Sequence, residues 1–350
     1  MIADSEIQRI ALLTPLADVL ASFDLSVRQV APREEALTKA VGLTLAADVV
    51  IAAGHPKAAL ALRDGYAVRS GVISPAPRRI DIGEPLPADA DAVIALDAVH
   101  MRGAPGEGVL PPDTDTTAGL KLQLTGARLR RIDVALMIAL GIERVIVREP
   151  RVRVVCTGQG DIMRGASALI ASAIGVESGI AITGEGMLEA ALNDENVDAV
   201  VAIGGTGSGR NDTSVRTLAR IGRVEFHGIG ITPGETTALG FAGVRPVLLL
   251  PGRIDAALAA WLTIGRRLLA RLAFRLIEEQ PFAAELARKI SSPLGLAEVI
   301  PVRRRLGRVE PLASGYLSMQ ALARAEGWVL VPADSEGYPA GARVVVRPWP

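Results

Sequence analysis

The sequence predicts a multidomain chain of the α/β and β classes, with a central open parallel-sheet α/β domain at residues 151–280. Two observations carry that reading. Three runs, VRVVCTGQGD, DAVVAIGGTGSGRND and PVLLLPGRIDA, repeat one grammar: an apolar run, a glycine loop, then helix-like text. Runs that are apolar at every position, and not at alternate ones, suit parallel strands covered on both faces. Flanking them, residues 47–125 and 281–350 break into short β-like runs separated by Gly, Pro and Asp, which predicts a β-rich inserted module and a β-rich C-terminal domain.

The remaining elements follow in order. Residues from about 5 to 45 carry helical spacing, first through Ile7, Ile10, Leu13, Leu16, Val19 and Leu20 and again from Ala36 to Val41. With the helical stretch Arg131 to Leu140, they form an expected helical connecting and dimerisation domain at residues 1–46 and 126–150. In the inserted module, DAVIALDAV and GVLPP read as strands. A long helix is expected from Ala256 to about Glu279, and LAEVIPVRRRL, GWVLVPA and ARVVVRP read as C-terminal strands with turns at Gly315, Gly337 and Gly341.

Composition narrows the function. Lys+Arg and Asp+Glu both number 38, so no global field draws the chain to nucleic acid or to an anionic membrane. The single cysteine, Cys156, excludes an internal disulfide framework and suits a reducing compartment. The N-terminus has no basic stretch followed by an apolar core, and the apolar run at Ala256 to Ile264 is too short to cross a bilayer; a cytoplasmic protein is expected. His55, His100 and His227 have no metal-ligand spacing, Cys156 lies in an apolar strand, and no nucleophile elbow is present.

The glycine loops remain as the candidate site. In an open α/β sheet, ligands bind beyond the carboxyl ends of the strands, where glycines admit close backbone approach and helix N-termini add positive potential. GGTGSG, spanning Gly204, Gly205, Thr206, Gly207, Ser208 and Gly209, is therefore a candidate phosphate cradle, although glycine there also serves tight turns. It is neither a Walker A loop nor a GxGxxG fingerprint. Asp212 reads as a helix N-cap, alone or with a ligand or metal role.

Taken together, RDGYAVR (Arg63 to Arg69), GGTGSGRND, ITPGETTALG and LLPG before a long helix resemble, in order and spacing, the molybdopterin molybdenumtransferases of the MoeA and gephyrin E-domain type. ADADAVIALD, ALGIERVIVREPRVRVVCTG and GYPAGARVVV extend the resemblance over nearly the whole chain. It implies a four-domain elongated homodimer, a MogA-like molybdopterin-binding α/β domain, and insertion of molybdenum from molybdate into adenylylated molybdopterin with a divalent ion, Mg2+, assisting. By position it implies catalytic roles for Asp64, Asp115 and Asp212, with Asp64 contributed across the dimer. It likewise implies cofactor contacts from Thr157, Gly158, the GGTGSG loop, Pro233, Gly234, Pro251, Gly252 and Arg253, and metal contacts from Asp212 and Asp161.

The sequence departs from the family pattern where positive charge is expected. Thr232 and Glu235 stand in place of two lysines, and Gly160 in place of a glutamate. One charge about 4 Å from another is worth about 4 kcal/mol at an effective dielectric near 20, before desolvation. An alternative expectation follows: a degenerate molybdopterin-binding carrier, or an accessory partner of a recipient molybdoenzyme. A purely structural dimer is a third.

Overall fold

The computed structural model describes residues 8–73, 77–98, 102–177, 179–183, 187–275 and 280–350. The α/β domain is a six-stranded sheet, and we label its elements first. They are β1 (Arg151–Cys156), α1 (Asp161–Val176), β2 (Ile180–Thr183), α2 (Leu188–Asn193), β3 (Ala199–Ile203), α3 (Ser214–Ile221) and β4 (Arg223–His227). Then come β5 (Ile229–Thr232), which leaves this sheet, β6 (Ala238–Ala242), β7 (Arg245–Leu250) and α4 (Ile254–Ala260). The strand order is β2-β1-β3-β7-β6-β4. The first four strands run parallel, and β6 and β4 finish one edge in antiparallel pairing. All five residues of β3 are buried, as an apolar run between two helical layers requires.

Two cores cover the faces of this sheet. One gathers Val152, Val154, Val201 and Leu248 with Ile170 of α1 and Trp261, and the helix Leu16–Ser26 joins it through Leu16, Val19 and Phe23. The other packs Val155, Val200 and Val247 under Leu192 of α2 and Leu218 of α3. The helix at α4 continues through a π-helical stretch, Trp261–Gly265, into Arg266–Ala273, where Phe274 takes a left-handed conformation and ends it. The expected end at Glu279 lies outside the described residues.

β5 is the hinge of the architecture in sequence terms. It pairs in parallel with Thr14–Pro15 on one side and with β9 on the other. The C-terminal strands are β8 (Phe282–Glu285), β9 (Ala297–Arg305), β10 (Gly327–Val331) and β11 (Arg343–Pro348). They complete a seven-stranded sheet with Arg308–Pro311 paired to β9. The expected C-terminal strands coincide with β9, β10 and β11.

The N-terminal expectation needs correction. The described residues from 8 to 45 hold one α-helix, Leu16–Ser26, while Ala36 to Val41 contributes only a 3-10 turn at Leu37–Lys39. Arg33–Ala36 and Thr44–Leu45 instead flank Arg144–Arg148 in a three-stranded sheet. The apolar spacing there is satisfied by a separate small core with Leu37, Leu45, Met137 and Val147. The helix Arg131–Ala139 is present as expected. In the inserted module Gly65–Val68 lies between Arg78–Ile80 and Ala92–Ala95 in a small antiparallel sheet.

Behind the α/β sheet, Glu177 sits between Arg266, with Nε to Oε1 at 2.7 Å, and Arg275. Burial pushes the Glu177 carboxyl up, but the two guanidiniums outweigh it and hold it below its ordinary 4.5. A depressed carboxylate stabilises the fold above that value, and the contribution is lost as pH falls through the folded pKa. Glu177→Gln is therefore expected to cost about 1–3 kcal/mol at pH 7. Denaturant titrations from pH 7 to pH 3 should show the parent's advantage shrinking toward the acid end.

Candidate functional site

The ladder of β1, β3 and β7 sets the site. Cys156 is level with Ile203, and Ile203 with Leu250, so three loops leave the sheet side by side at its carboxyl edge. Each loop runs into or toward a helix N-terminus, and together they line a cavity of about 710 Å³. Gly204, Gly205, Thr206, Gly207 and Asp212 form one wall, Asp161 and Met163 another, and Pro251, Gly252 and Arg253 a third.

The GGTGSG loop is held by its own neighbours. Ser214 Oγ donates to the Gly204 carbonyl at 2.8 Å, and Ser214 N donates to the Gly205 carbonyl at 3.0 Å. Gly205 has φ +71, and a Cβ there would collide with Ser214 Oγ, so this position requires glycine. The Thr206 hydroxyl, 3.0 Å from that of Thr236, ties the loop to the segment after β5. Thr236 also lines the cavity.

Asp212 does not cap a helix, as its place in the sequence suggests. The helix begins at Ser214 with Thr213 at its N-cap position, and the Asp212 carboxylate instead accepts from Gly209 N at 2.7 Å. It closes the far end of the glycine loop while facing the cavity. Asp161 opens α1 on the opposite wall, paired with Arg164 and well exposed.

The structure brings some expected residues together and separates others. Thr157 and Gly158 stand just behind the cavity: Thr157 Oγ1 donates to the Ile203 carbonyl at 3.1 Å and lies 3.2 Å from Ser214 Oγ. Pro233 and Gly234 are buried beneath it, and Ser208 is exposed at the loop tip. Asp64 and Asp115 lie in the inserted module, both exposed. The Asp64 carboxylate accepts from Ile82 N at 2.8 Å, while Asp115 N donates to the His55 carbonyl at 3.0 Å, and neither lines the cavity.

Charge in the cavity centres on Arg253. Its Nε donates to Asp255 at 3.0 Å, its guanidinium stacks 4.8 Å from the Tyr316 ring, and Asp255 also accepts from Leu317 N. The Asp255 hydrogen bond raises the Arg253 pKa; burial opposes this, and Tyr316 and Glu235 add to the rise. Glu235 thus lies in the field of Arg253, its own carboxylate accepting from Gly234 N at 3.1 Å. Thr232 is buried in β5.

The donor set limits what metal the cavity holds. Among the described residues no three His, Cys, Asp or Glu side chains cluster as ligands. Asp161 and Asp212 are the two carboxylates that line the cavity, on different walls, and they do not form an all-protein cage. Of the histidines, His55 pairs its backbone with Thr116, His227 contacts the Thr206 carbonyl, and His100 lies outside the described residues. Cys156 is half-buried at the end of β1.

Three family profiles match successive parts of the chain. They are the MoeA N-terminal region (domain I and II) over residues 11–141, a probable molybdopterin binding domain over 179–271, and the MoeA C-terminal region (domain IV) over 283–349. Molybdopterin molybdenumtransferase 2 of Mycobacterium tuberculosis is 26% identical over 381 residues, covering 89% of this chain and 93% of that protein. A putative molybdopterin biosynthesis protein of Methanocaldococcus jannaschii is 30% identical over 152 residues, which span 43% of this chain and 36% of the relative. The crystal structure of a molybdopterin biosynthesis MoeA protein from Pyrococcus horikoshii superposes with a TM-score of 0.77 at 22% identity, covering 97% of this chain and 100% of the other. The chain belongs to the MoeA family, as a divergent member with the family's multidomain fold.

Among the described residues no helix is long and apolar enough to cross a membrane. The sequence reading missed Met163, Thr236 and Ser214, which line or brace the cavity through packing that no motif records. The loop architecture makes one local prediction. Asp212→Ala removes the acceptor of the Gly209 amide, and amide exchange at residues 207–210 should accelerate about tenfold while global stability changes by less than ~1 kcal/mol.

Proposed function

We propose that this chain acts in molybdenum cofactor biosynthesis, binding molybdopterin in the α/β cavity and inserting molybdenum from molybdate into its adenylylated form. The observation that carries the reading is the alignment of three glycine loops at one sheet edge, with Arg253 lining the cavity they enclose, inside a MoeA-family chain. The glycine loop supplies backbone donors at a helix N-terminus for the phosphate end of the pterin. Arg253 adds a fixed positive charge in a part of the chain where the family's expected lysines are replaced by Thr232 and Glu235. Asp161 and Asp212 would hold Mg2+ together with substrate phosphate oxygens, and the ion would neutralise charge on those oxygens.

We further propose a homodimer. Asp64 and Asp115 are exposed on the inserted module and line no cavity with the loop residues of their own chain. A second copy presenting that module to the cavity would give the two carboxylates their catalytic role. Sedimentation at micromolar concentration should show a dimer, and a monomer alone would remove the two-chain site.

The direct test is restoration of molybdoenzyme activity in cells lacking their own insertase. The same cells carrying Gly207→Val should stay inactive, because a side chain there meets the Asp212 carboxylate and fills the approach to the loop amides. Purified Gly207→Val should lose at least about a hundredfold in molybdopterin affinity while keeping its unfolding midpoint. Unchanged affinity would refute the phosphate role of the loop.

A further inference from the structure

The carbonyls of Gly204 to Gly207 are each held by a side chain that does not line the cavity, and two of the donors come from residues that no loop motif contains. Gln8 Nε2 donates to the Gly205 carbonyl and to the Gly207 carbonyl, each at 2.7 Å. His227 Nε2 lies 2.9 Å from the Thr206 carbonyl, and because a carbonyl only accepts, that nitrogen carries the proton. With Ser214 Oγ on Gly204, four consecutive carbonyls, from Gly204 to Gly207, have a donor. Gln8 and His227 do not line the cavity, whereas Gly204 to Gly207 do.

In a planar trans peptide the C=O and the following N–H point in opposite directions. Fixing the carbonyls of residues 204 to 207 on donors that do not line the cavity therefore turns the amides of Gly205, Thr206, Gly207 and Ser208 toward the cavity. Glycine-rich backbone would otherwise sample many orientations, and a phosphate would have to order it on binding. We propose that Gln8 is a positioning residue for the phosphate cradle, assisted by His227: it acts through the loop and touches no substrate.

The placement of Gln8 supports this. It is 93% buried, since its exposure is 7%, and among the described residues its Oε1 has no hydrogen-bond partner, so the side chain's hydrogen bonds run through Nε2 to the loop. Its backbone is registered by Ile10, which occupies the space a side chain at Gly228 would need, and by pairing of Thr14–Pro15 with Ile229–Gly230. Gly228 follows directly on His227, so one short stretch at the end of β4 both supplies the second donor and holds the segment carrying the first.

The inference rests on the phosphate reading of the loop, and the test separates the two. Gln8→Met keeps the volume and removes both donors. It should weaken molybdopterin binding about tenfold or more, raise KM for molybdopterin by the same factor, and retain kcat at saturation and the parent's unfolding midpoint. Gln8→Glu, isosteric but acceptor-only, should weaken binding at least as far, and His227→Phe by about fivefold. Parent-like affinity in Gln8→Met and Gln8→Glu, with Gly207→Val unable to bind, would overturn the positioning role and leave the cradle standing. Parent-like affinity in Gly207→Val would overturn the cradle and this inference with it. Equal losses of kcat and unfolding midpoint without a change in KM would also overturn it, since they mark a fold defect.

Discussion

The parallel hydrogen-bond register of β1, β3 and β7 is the constraint on which the site depends. Because Cys156, Ile203 and Leu250 are level, three loops leave the sheet at one height and enclose one cavity. Strand side chains alternate faces, so a slip of one residue would turn Val200 and Ala202 to the opposite layer and carry the glycine loop out of line with Pro251 and Gly252. Burial on both faces is what forbids the slip. Val200 and Ala202 pack in one core and Val201 and Ile203 in the other, so neither set has a solvated face to move to.

The outer parts of the chain support that cavity from three directions. α4 is fixed at its start by Asp255, a carboxylate only 4% exposed that serves both Arg253 and Leu317 N. The Leu317 contact belongs to the C-terminal domain, so the position of the cavity's arginine depends on a region distant in sequence, as does its stacking on Tyr316. β5 joins the α/β domain to the seven-stranded sheet, and the Thr206–Thr236 contact carries that link to the loop. From the N-terminal side, Leu16–Ser26 packs into the larger core while Asp24 accepts from Arg267 Nε at 3.0 Å.

Electrostatically the site is modest. One arginine faces the cavity with its charge shared by Asp255, and two carboxylates stand on the other walls. On the proposed phosphate reading, attraction for an anion comes chiefly from oriented amides and helix N-termini, which act at short range and cost no ionic desolvation of a lysine side chain. A chain with equal numbers of basic and acidic residues can select a phosphate in this way without a strongly positive surface.

By itself the sequence determined the central α/β region and the β-rich character of the inserted module and the C-terminal part. Apolar runs with no alternation fit only doubly covered strands, and the glycine loops that follow them mark the carboxyl edge, so β1, β3, β7 and their shared cavity were legible from residues alone. The strands β9, β10 and β11 were legible in the same way. The tertiary structure decided the rest, for physical reasons that local text does not carry. Residues 33 to 45 have helical spacing but find their hydrogen bonds in Arg144–Arg148, because pairing partners a hundred residues away outcompete a weak local preference. Asp212 looks like an N-cap but is drawn to Gly209 by the loop's curvature. Gln8 leaves no sequence signal at all: its contacts lie 197 and 199 residues away, and only the folded chain brings an amide donor within reach of two loop carbonyls.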